Sequence, residues 1–302
     1  MKPIAILSTI LISLISFQSA GQHVSYVGNS PEFQKFKSST LAVVQTGIES
    51  YDSILLNTME KYWTFNNFVL IDSNEIDKYL QNSYHLMMIL QVYSNGIFIY
   101  EELAILQENP EFKGNRMKSK EIASAPLSNL LERTPEGLAL RLPYIIKTLN
   151  DLVSHCDTIV MKKIYTTSVF DSVRTFLNKD AYRIPNLTLL VPSYLFDEHT
   201  SYSASKKPYQ LITKELMESY PYKYEIMDWE TILLMQEDPD EAVKYCLFMP
   251  VQFSSMITTH IYDLNTRQIL FNTISYDRLW YDKIIMRNVI DDLEDYVEET
   301  KK

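Results

Sequence analysis

The chain has 302 residues, of which 46% are hydrophobic and 12% are aromatic. This composition excludes an intrinsically disordered chain and allows one large domain or two domains of ordinary size. The formal net charge of −10 argues against a nucleic-acid partner, because an acidic surface repels a phosphate backbone.

The first 21 residues have the pattern of a secretory signal peptide. Lys2 supplies the positive end, 4–17 supply an apolar run, and 19–21 supply small residues for cleavage before Gln22. The run is shorter than the span of about 20 apolar residues that crosses a bilayer. We therefore expect a periplasmic or secreted protein whose mature chain has no transmembrane span. A polar segment, 22–38, with a short helix at 31–36, should follow.

Four short sequence blocks occur twice, in the same order and about 160 residues apart, which predicts a duplicated unit. The paired blocks are 59–62 with 217–220, 68–72 with 224–228, 84–91 with 245–252, and 99–101 with 261–263.

The first unit, 39–156, has the hydrophobic periodicity of alternating strands and helices. Asp72 is placed to cap a helix, and Asn95-Gly96 is typical of a hairpin turn. A surface loop is predicted at 108–126, followed by a long helix from Pro135. The preceding elements are predicted in β-α-β-α-β-β order at 40–44, 54–62, 68–71, 76–80, 84–93 and 97–106.

A connecting segment, 157–185, leads to the second unit, 186–302, which repeats this order. Asp228 is predicted to cap a helix as Asp72 does. The connection 192–208 is rich in Ser and Tyr and is longer than its counterpart in the first unit. The remaining elements are predicted at 187–191, 211–217, 224–227, 245–253, 256–262, 268–274 and 276–297.

Few residues have the spacing that a phosphate, cofactor or metal site requires. The chain has six glycines and none after Gly137, so it contains no phosphate-binding loop motif and we expect no cofactor. The β–α junction 45–47 is the one candidate anion site. No two histidines have zinc-helix spacing, so no metal site is expected. Cys156 and Cys246 are either free or joined in one disulfide.

Two regions are candidates for binding. Gln91 and Gln252 occupy equivalent positions near the ends of central strands, where pockets of α/β sheets lie. The connection 192–208 carries Tyr194, His199 and Tyr202, and loop tyrosines favour recognition of a partner. A hydrolase is the alternative, because this connection also contains serines beside His199, although no nucleophile-elbow motif is present.

The β-α-β-α-β-β order, with Leu41-Ala42-Val43-Val44 and Phe68-Val69-Leu70-Ile71-Asp72, resembles two envelope domains. These are the amino-terminal domain of the Tol–Pal protein TolB and the core of the CsgG-like curli secretion lipoproteins. The leader also looks like that of secreted proteins from Bacteroidota. The resemblance covers 41–106 and 187–274 and implies a non-catalytic adaptor in envelope assembly.

The sequence therefore predicts an α/β protein of two tandem duplicated βαβαββ(α) units, each a small mixed sheet flanked by helices. We expect the two units to associate about a pseudo-twofold axis. The function expected is an exported, non-enzymatic binding or assembly protein of the bacterial cell envelope with an envelope protein as partner. The alternatives are a hydrolase, or a small-ligand-binding protein with a cleft between the units near Gln91 and Gln252. The oligomeric state is not predicted.

Overall fold

A computed structural model describes residues 23–24, 30–81, 84–94, 97–108, 119–128, 135–159, 166–197, 199–200, 208–209, 212–253, 256–276 and 282–300. The predicted leader and the Asn95-Gly96 turn lie outside these residues. Within the described ranges, no helix combines the length and the apolar character needed to cross a bilayer.

The first unit is built on a six-stranded mixed sheet in the order β1-β6-β5-β4-β2-β3. Strand β2 pairs in parallel with β3 and β4, whereas β5, β6 and β1 add in antiparallel fashion. Its elements are β1 (His23–Val24), α1 (Pro31–Ser38), β2 (Leu41–Val44), α2 (Glu49–Tyr62), β3 (Phe68–Ile71), α3 (Ile76–Gln81), β4 (His85–Ser94), β5 (Ile97–Glu108), β6 (Ser119–Ser128) and α4 (Pro135–Thr158).

The amino-terminal segment of this unit contributes to its core, although the sequence predicted a polar segment. Helix α1 begins at Pro31, and the Ser30 hydroxyl caps it by accepting a hydrogen bond from the Phe33 amide at 3.2 Å. Phe33 and Phe36 are fully buried. The short helix predicted at 31–36 is confirmed, and its apolar side is part of the folded unit.

The second unit contains a five-stranded sheet in the order β10-β7-β11-β12-β13, which is the order β3-β2-β4-β5-β6 repeated. The predicted mixed α/β fold with duplicated sheets is therefore confirmed. Helix α5 (Thr166–Asn178) precedes this unit. The unit consists of β7 (Thr188–Pro192), β8 (His199–Thr200), β9 (Pro208–Tyr209), α6 (Lys214–Met217), β10 (Tyr224–Met227), α7 (Trp229–Glu237), α8 (Pro239–Ala242), β11 (Tyr245–Phe253), β12 (Met256–Asp263), β13 (Ile269–Tyr276) and α9 (Asp282–Thr300).

Strand β6 completes the correspondence between the units. The sequence predicted a surface loop at 108–126, which is wrong for the part that the structure describes. Residues 119–128 pair with β5, and they lie where β13 lies in the second sheet. Each unit thus ends with two antiparallel strands followed by a long helix.

Strand register supports the equivalence of 68–72 with 224–228 and of 84–91 with 245–252, but not that of 99–101 with 261–263. Leu86 pairs with Leu106 in the first hairpin, and Leu247 pairs with Tyr262 in the second. Leu86 and Leu247 are equivalent, so Leu106 corresponds to Tyr262 and Tyr100 does not. The β4–β5 hairpin is longer than β11–β12 and contains a register shift at Val92/Tyr93. Because of this difference, the blocks 99–101 and 261–263 do not occupy equivalent positions in the two sheets.

A single cluster of buried apolar side chains, the shared core, lies between the two sheets. Helix α4 runs through it and is buried on most sides, from Leu140 to Cys156. Such all-round burial is typical of a helix inside a large core. Its members from the sheets include Leu41, Val43 and Met87 of the first sheet and Leu190, Leu247 and Met249 of the second.

The two units are stacked in the same orientation, and the expected pseudo-twofold is wrong. Leu41 and Leu189 are equivalent, because each pairs with the neighbouring parallel strands at the same level. Leu41 faces the shared core, but Leu189 faces the outer cluster that packs on α9. A twofold would bring the same face of both sheets together. Here opposite faces meet.

Candidate functional site

The residues predicted to bind are only partly brought together by the fold. Gln91 lies in β4 opposite Glu101, and Gln252 lies in β11 opposite Ile257. Both positions are in the antiparallel half of their sheet. The shared core fills the space between the sheets where the structure describes it, so the cleft expected between the units is packed there.

Tyr194 lies directly after β7, at the carboxyl end of the second sheet. His199 lies in β8, whose backbone pairs with Tyr209 in β9. Tyr202 lies outside the described residues, as does the serine-rich stretch 201–207. Of the predicted partner-binding residues in this connection, Tyr194 is thus the one whose side-chain surroundings are described.

The Tyr194 ring stacks on Trp229, with ring centroids 4.9 Å apart and planes inclined by 21°. Trp229 follows Asp228 at the carboxyl end of the adjacent parallel strand β10. Both rings are half-buried. Because neighbouring parallel strands end at the same edge of the sheet, the two residues form an aromatic pair there, where ligands of open α/β sheets bind. We call these two residues the aromatic pair.

A buried arginine forms a hydrogen bond with Tyr194 of the aromatic pair. Arg141 in α4 is 1% exposed, and its Nη2 donates to the Tyr194 hydroxyl at 3.1 Å. His260 in β12 is also buried. Burial, followed by the positive charge of Arg141, lowers the pKa of His260 to about 3, so this imidazole is neutral at pH 7.

A second set of polar contacts ties α4 to the second unit. The Tyr144 hydroxyl donates to Gln236 Oε1 at 3.3 Å, and the Tyr144 ring lies 4.9 Å from that of Tyr262. Arg267 donates to the Gln236 carbonyl at 2.8 Å and lies 5.5 Å from the centre of the Tyr144 ring. These bonds connect side chains far apart in sequence, and they fix the position of α4 beneath the aromatic pair.

The candidate anion site at 45–47 is already occupied by a carboxylate of the chain itself. Asp52 in α2 accepts hydrogen bonds from the amides of Thr46 at 2.7 Å and Gly47 at 3.0 Å. It also accepts one from the Thr46 hydroxyl at 2.9 Å. These amides, which an anion would need, bind Asp52 instead, so the structure does not support an anion site here.

The two predicted helix-capping aspartates behave differently. Asp228 accepts a hydrogen bond from the Thr231 amide at 2.8 Å, and this bond lowers the pKa of its carboxyl. Asp72 precedes a 3₁₀ turn, Ser73–Glu75, and its side chain makes no capping bond there. The predicted cap is confirmed for Asp228 and wrong for the side chain of Asp72.

Both cysteines are free and buried, which answers the question that the sequence left open. Burial raises the pKa of the Cys156 thiol to about 12 and raises that of Cys246 as well. Because the thiolate is the reactive form, neither sulfur is an available nucleophile or metal ligand in the folded chain.

Ser39 and His85 form a close pair with the composition of a catalytic dyad. His85 Nδ1 is 2.7 Å from Ser39 Oγ. Ser39 Oγ is also within hydrogen-bond distance of the Phe36 carbonyl, at 2.9 Å. Burial lowers the pKa of His85 to about 4, so its imidazole is neutral at pH 7. Because His85 is fully buried, no substrate reaches its imidazole, and the pair is structural.

In the described ranges, no group of three or more His, Cys, Asp or Glu side chains is arranged to hold a metal ion. The chain matches no protein-family model, and no curated protein or solved structure is significantly similar to it. The likeness to the TolB and CsgG-like domains therefore stays a prediction.

Sequence reasoning missed Arg141, Trp229 and His260. Arg141 did leave a signal, because it lies three residues after Leu138 and four before Ile145, within the apolar face of the predicted helix. A charged residue in that position needs a buried polar partner. Trp229 and His260 left no such signal in the sequence, since their roles depend on which strands lie side by side in the fold.

Proposed function

We propose that the chain is an exported, non-enzymatic binding or assembly protein of a bacterial cell envelope. We further propose that a protein partner docks at the carboxyl end of the second sheet, over the aromatic pair. The partner would be another envelope protein, as the predicted secretory leader implies. One observation carries the proposal, namely the stacking of Tyr194 on Trp229 above a buried arginine.

Rigid aromatic rings at the ends of strands favour recognition of a protein. Tyrosine and tryptophan dominate the energetic centres of interfaces, because they bury much apolar area and lose little side-chain entropy. The hydrogen bond from Arg141 and the stacking contact fix the Tyr194 ring before any partner arrives. Such preorganisation lowers the entropic cost of association.

The placement of the reactive side chains supports binding over chemistry. Cys156, Cys246, His85 and His260 are all fully or almost fully buried. Their shifted pKa values keep the thiols protonated and the imidazoles neutral at pH 7. In the described ranges these four groups lie in the core, whereas the two rings of the aromatic pair are half-buried and reach the surface.

Site-specific photocrosslinking in cells tests the docking surface. A photoreactive phenylalanine analogue replaces Ser193, which is exposed and adjacent to Tyr194. In a matched control it replaces Tyr182, which is 42% exposed and precedes β7, at the opposite end of the same strand. We expect one envelope protein to crosslink at position 193 and not at position 182.

Loss of this crosslink on Tyr194→Ala, with unchanged abundance of the protein, would strengthen the proposal. Equal crosslinking at both ends of β7, or none at position 193, would contradict it.

A further inference from the structure

A polar cleft of about 650 Å³ lies at the amino end of the first sheet. One wall is the end of α1 and the two residues that lead into β2. The other is the connection 63–68 between α2 and β3. Strands β2 and β3 are parallel, so the cleft and the Gly47 turn lie at opposite ends of the sheet. A volume between about 300 and 1,000 Å³ is typical of small-molecule sites.

The lining of the cleft is electrically neutral. Its charged member, Lys37, lies 2.6 Å from the Asp157 carboxylate, which compensates the ammonium charge. The other polar groups of the lining are hydroxyls and amides, including Ser38, Asn66 and Asn67. This lining suits a neutral ligand with many hydroxyl groups better than an anion or a cation.

One wall of the cleft is held in place before any ligand binds. Trp63 Nε1 donates to Asn66 Oδ1 at 2.9 Å, and Asn66 Nδ2 donates to the Phe36 carbonyl at 2.9 Å. The Ser38 hydroxyl donates its proton back to the Gln34 carbonyl at 3.0 Å. Its lone pairs are therefore what Ser38 offers to a ligand hydroxyl.

Aromatic rings complete the lining. Phe65 and Phe68 are half-buried and border the cleft beside these hydroxyl and amide groups. A sugar ring combines hydroxyls that donate and accept hydrogen bonds with an apolar C–H face that packs on an aromatic ring. One face of the Phe65 ring is stacked on Phe36, so the cleft offers the remaining face of Phe65 and the ring of Phe68 beside its hydroxyl and amide groups.

We propose that this cleft binds a neutral saccharide of one or two sugar units. Ser38 accepts a hydrogen bond from a sugar hydroxyl, Asn67 and Lys37 supply donors, and the apolar face of the sugar packs on Phe65 and Phe68. This site is separate from the partner surface at Tyr194 and does not depend on it.

Saturation-transfer NMR and titration calorimetry on the full purified chain test the site. The probes are N-acetylglucosamine, its β-1,4-linked disaccharide and, as a charged comparison, inorganic phosphate. We expect the disaccharide to bind with a Kd on the order of 1 mM or tighter, and phosphate not to compete. Absence of sugar binding, or displacement of the sugar by phosphate, overturns the proposal.

A matched pair of double variants locates the binding. Ser38→Ala with Asn67→Ala removes two polar groups from exposed positions in the cleft. Ser53→Ala with Asn57→Ala makes the same changes at exposed positions on α2 outside it. We expect the first pair to weaken disaccharide binding about fivefold or more, since each hydrogen bond lost contributes to affinity, and the second pair to leave it unchanged. Equal binding by both variants overturns the assignment.

Discussion

The guanidinium of Arg141 donates a hydrogen bond of 3.1 Å to the hydroxyl of Tyr194, which joins the long helix of the first unit to a strand end of the second. Arg141 is 1% exposed, so the guanidinium end of this bond is shielded from water. The same contact both connects the units and orients the ring at the proposed partner surface.

Removal of the Tyr194 hydroxyl should therefore destabilise the fold. We expect Tyr194→Phe to lower the free energy of unfolding by about 1–3 kcal/mol, because a buried charged donor loses an acceptor. Tyr182→Phe, at an exposed tyrosine, should change it by less than about 0.5 kcal/mol. Urea denaturation followed by circular dichroism measures both. Equal midpoints for the two variants would show that the Arg141 bond contributes nothing.

Replacement of Gly47 should lower the stability of the fold because of its backbone conformation alone. Its φ of +81° is in the left-handed region, and an added Cβ would meet no atom within 4 Å. We expect Gly47→Ala to cost about 1 kcal/mol of stability, and Gly47→Asn to cost less because asparagine tolerates this conformation. Thermal unfolding of both variants measures the difference. Identical melting temperatures for Gly47→Ala and the natural chain would contradict the assigned backbone conformation.

The duplicated architecture was predictable from sequence, but strand β6 was not. Its sequence, SKEIASAPLS, is rich in small and polar residues and includes Pro126. Strand propensity is weak there, and the segment forms a strand because it pairs with β5.

The candidate site, like β6, depends on tertiary contacts that local sequence patterns do not contain. Arg141, Tyr194 and His260 come together through the stacking of two sheets, and local patterns in the sequence do not record that stacking.

Acidification should destabilise the fold through two buried histidines. Burial lowers the pKa of His85 to about 4 and of His260 to about 3, against about 6.5 in the unfolded chain. The unfolded state therefore binds more protons below pH 6.5. The stability that the neutral histidines contribute is complete above that pH. As the pH falls toward 4, it decreases by about 1.4 kcal/mol per pH unit for each histidine.

Urea midpoints between pH 7.5 and pH 5 measure this dependence. In His85→Asn, an amide can replace the bond to Ser39 but does not titrate, so the loss of unfolding free energy between pH 6.5 and pH 5 should shrink by about 1.4 kcal/mol per pH unit. An unchanged slope, or a rise in stability on acidification, would contradict the assigned burial of His85.

The two thiols should be inaccessible in the folded protein. Cys156 and Cys246 are buried and free, and burial raises the pKa of Cys156 to about 12. We expect no reaction with Ellman's reagent in native buffer, since the thiolate is the reactive form, and reaction of both cysteines in urea without reductant. If neither reacts after unfolding, the two residues form a disulfide and the structure is wrong at these positions.

The two units should unfold together, because one apolar cluster belongs to both. Leu149 of α4 lies in that shared core and is fully buried. We expect Leu149→Ala to lower stability by about 2–5 kcal/mol. Since Trp63 lies in the first unit, and Trp229 and Trp280 lie in the second, the Trp229→Phe/Trp280→Phe protein reports fluorescence from the first unit and the Trp63→Phe protein from the second. In each protein the fluorescence midpoint in urea should coincide with the midpoint from circular dichroism, and Leu149→Ala should shift both proteins equally. As a control, Ile226→Ala, at a side chain 41% exposed, should have little effect. Separate midpoints, or a shift confined to the Trp63 signal, would show that each sheet folds independently and that the shared core does not couple them.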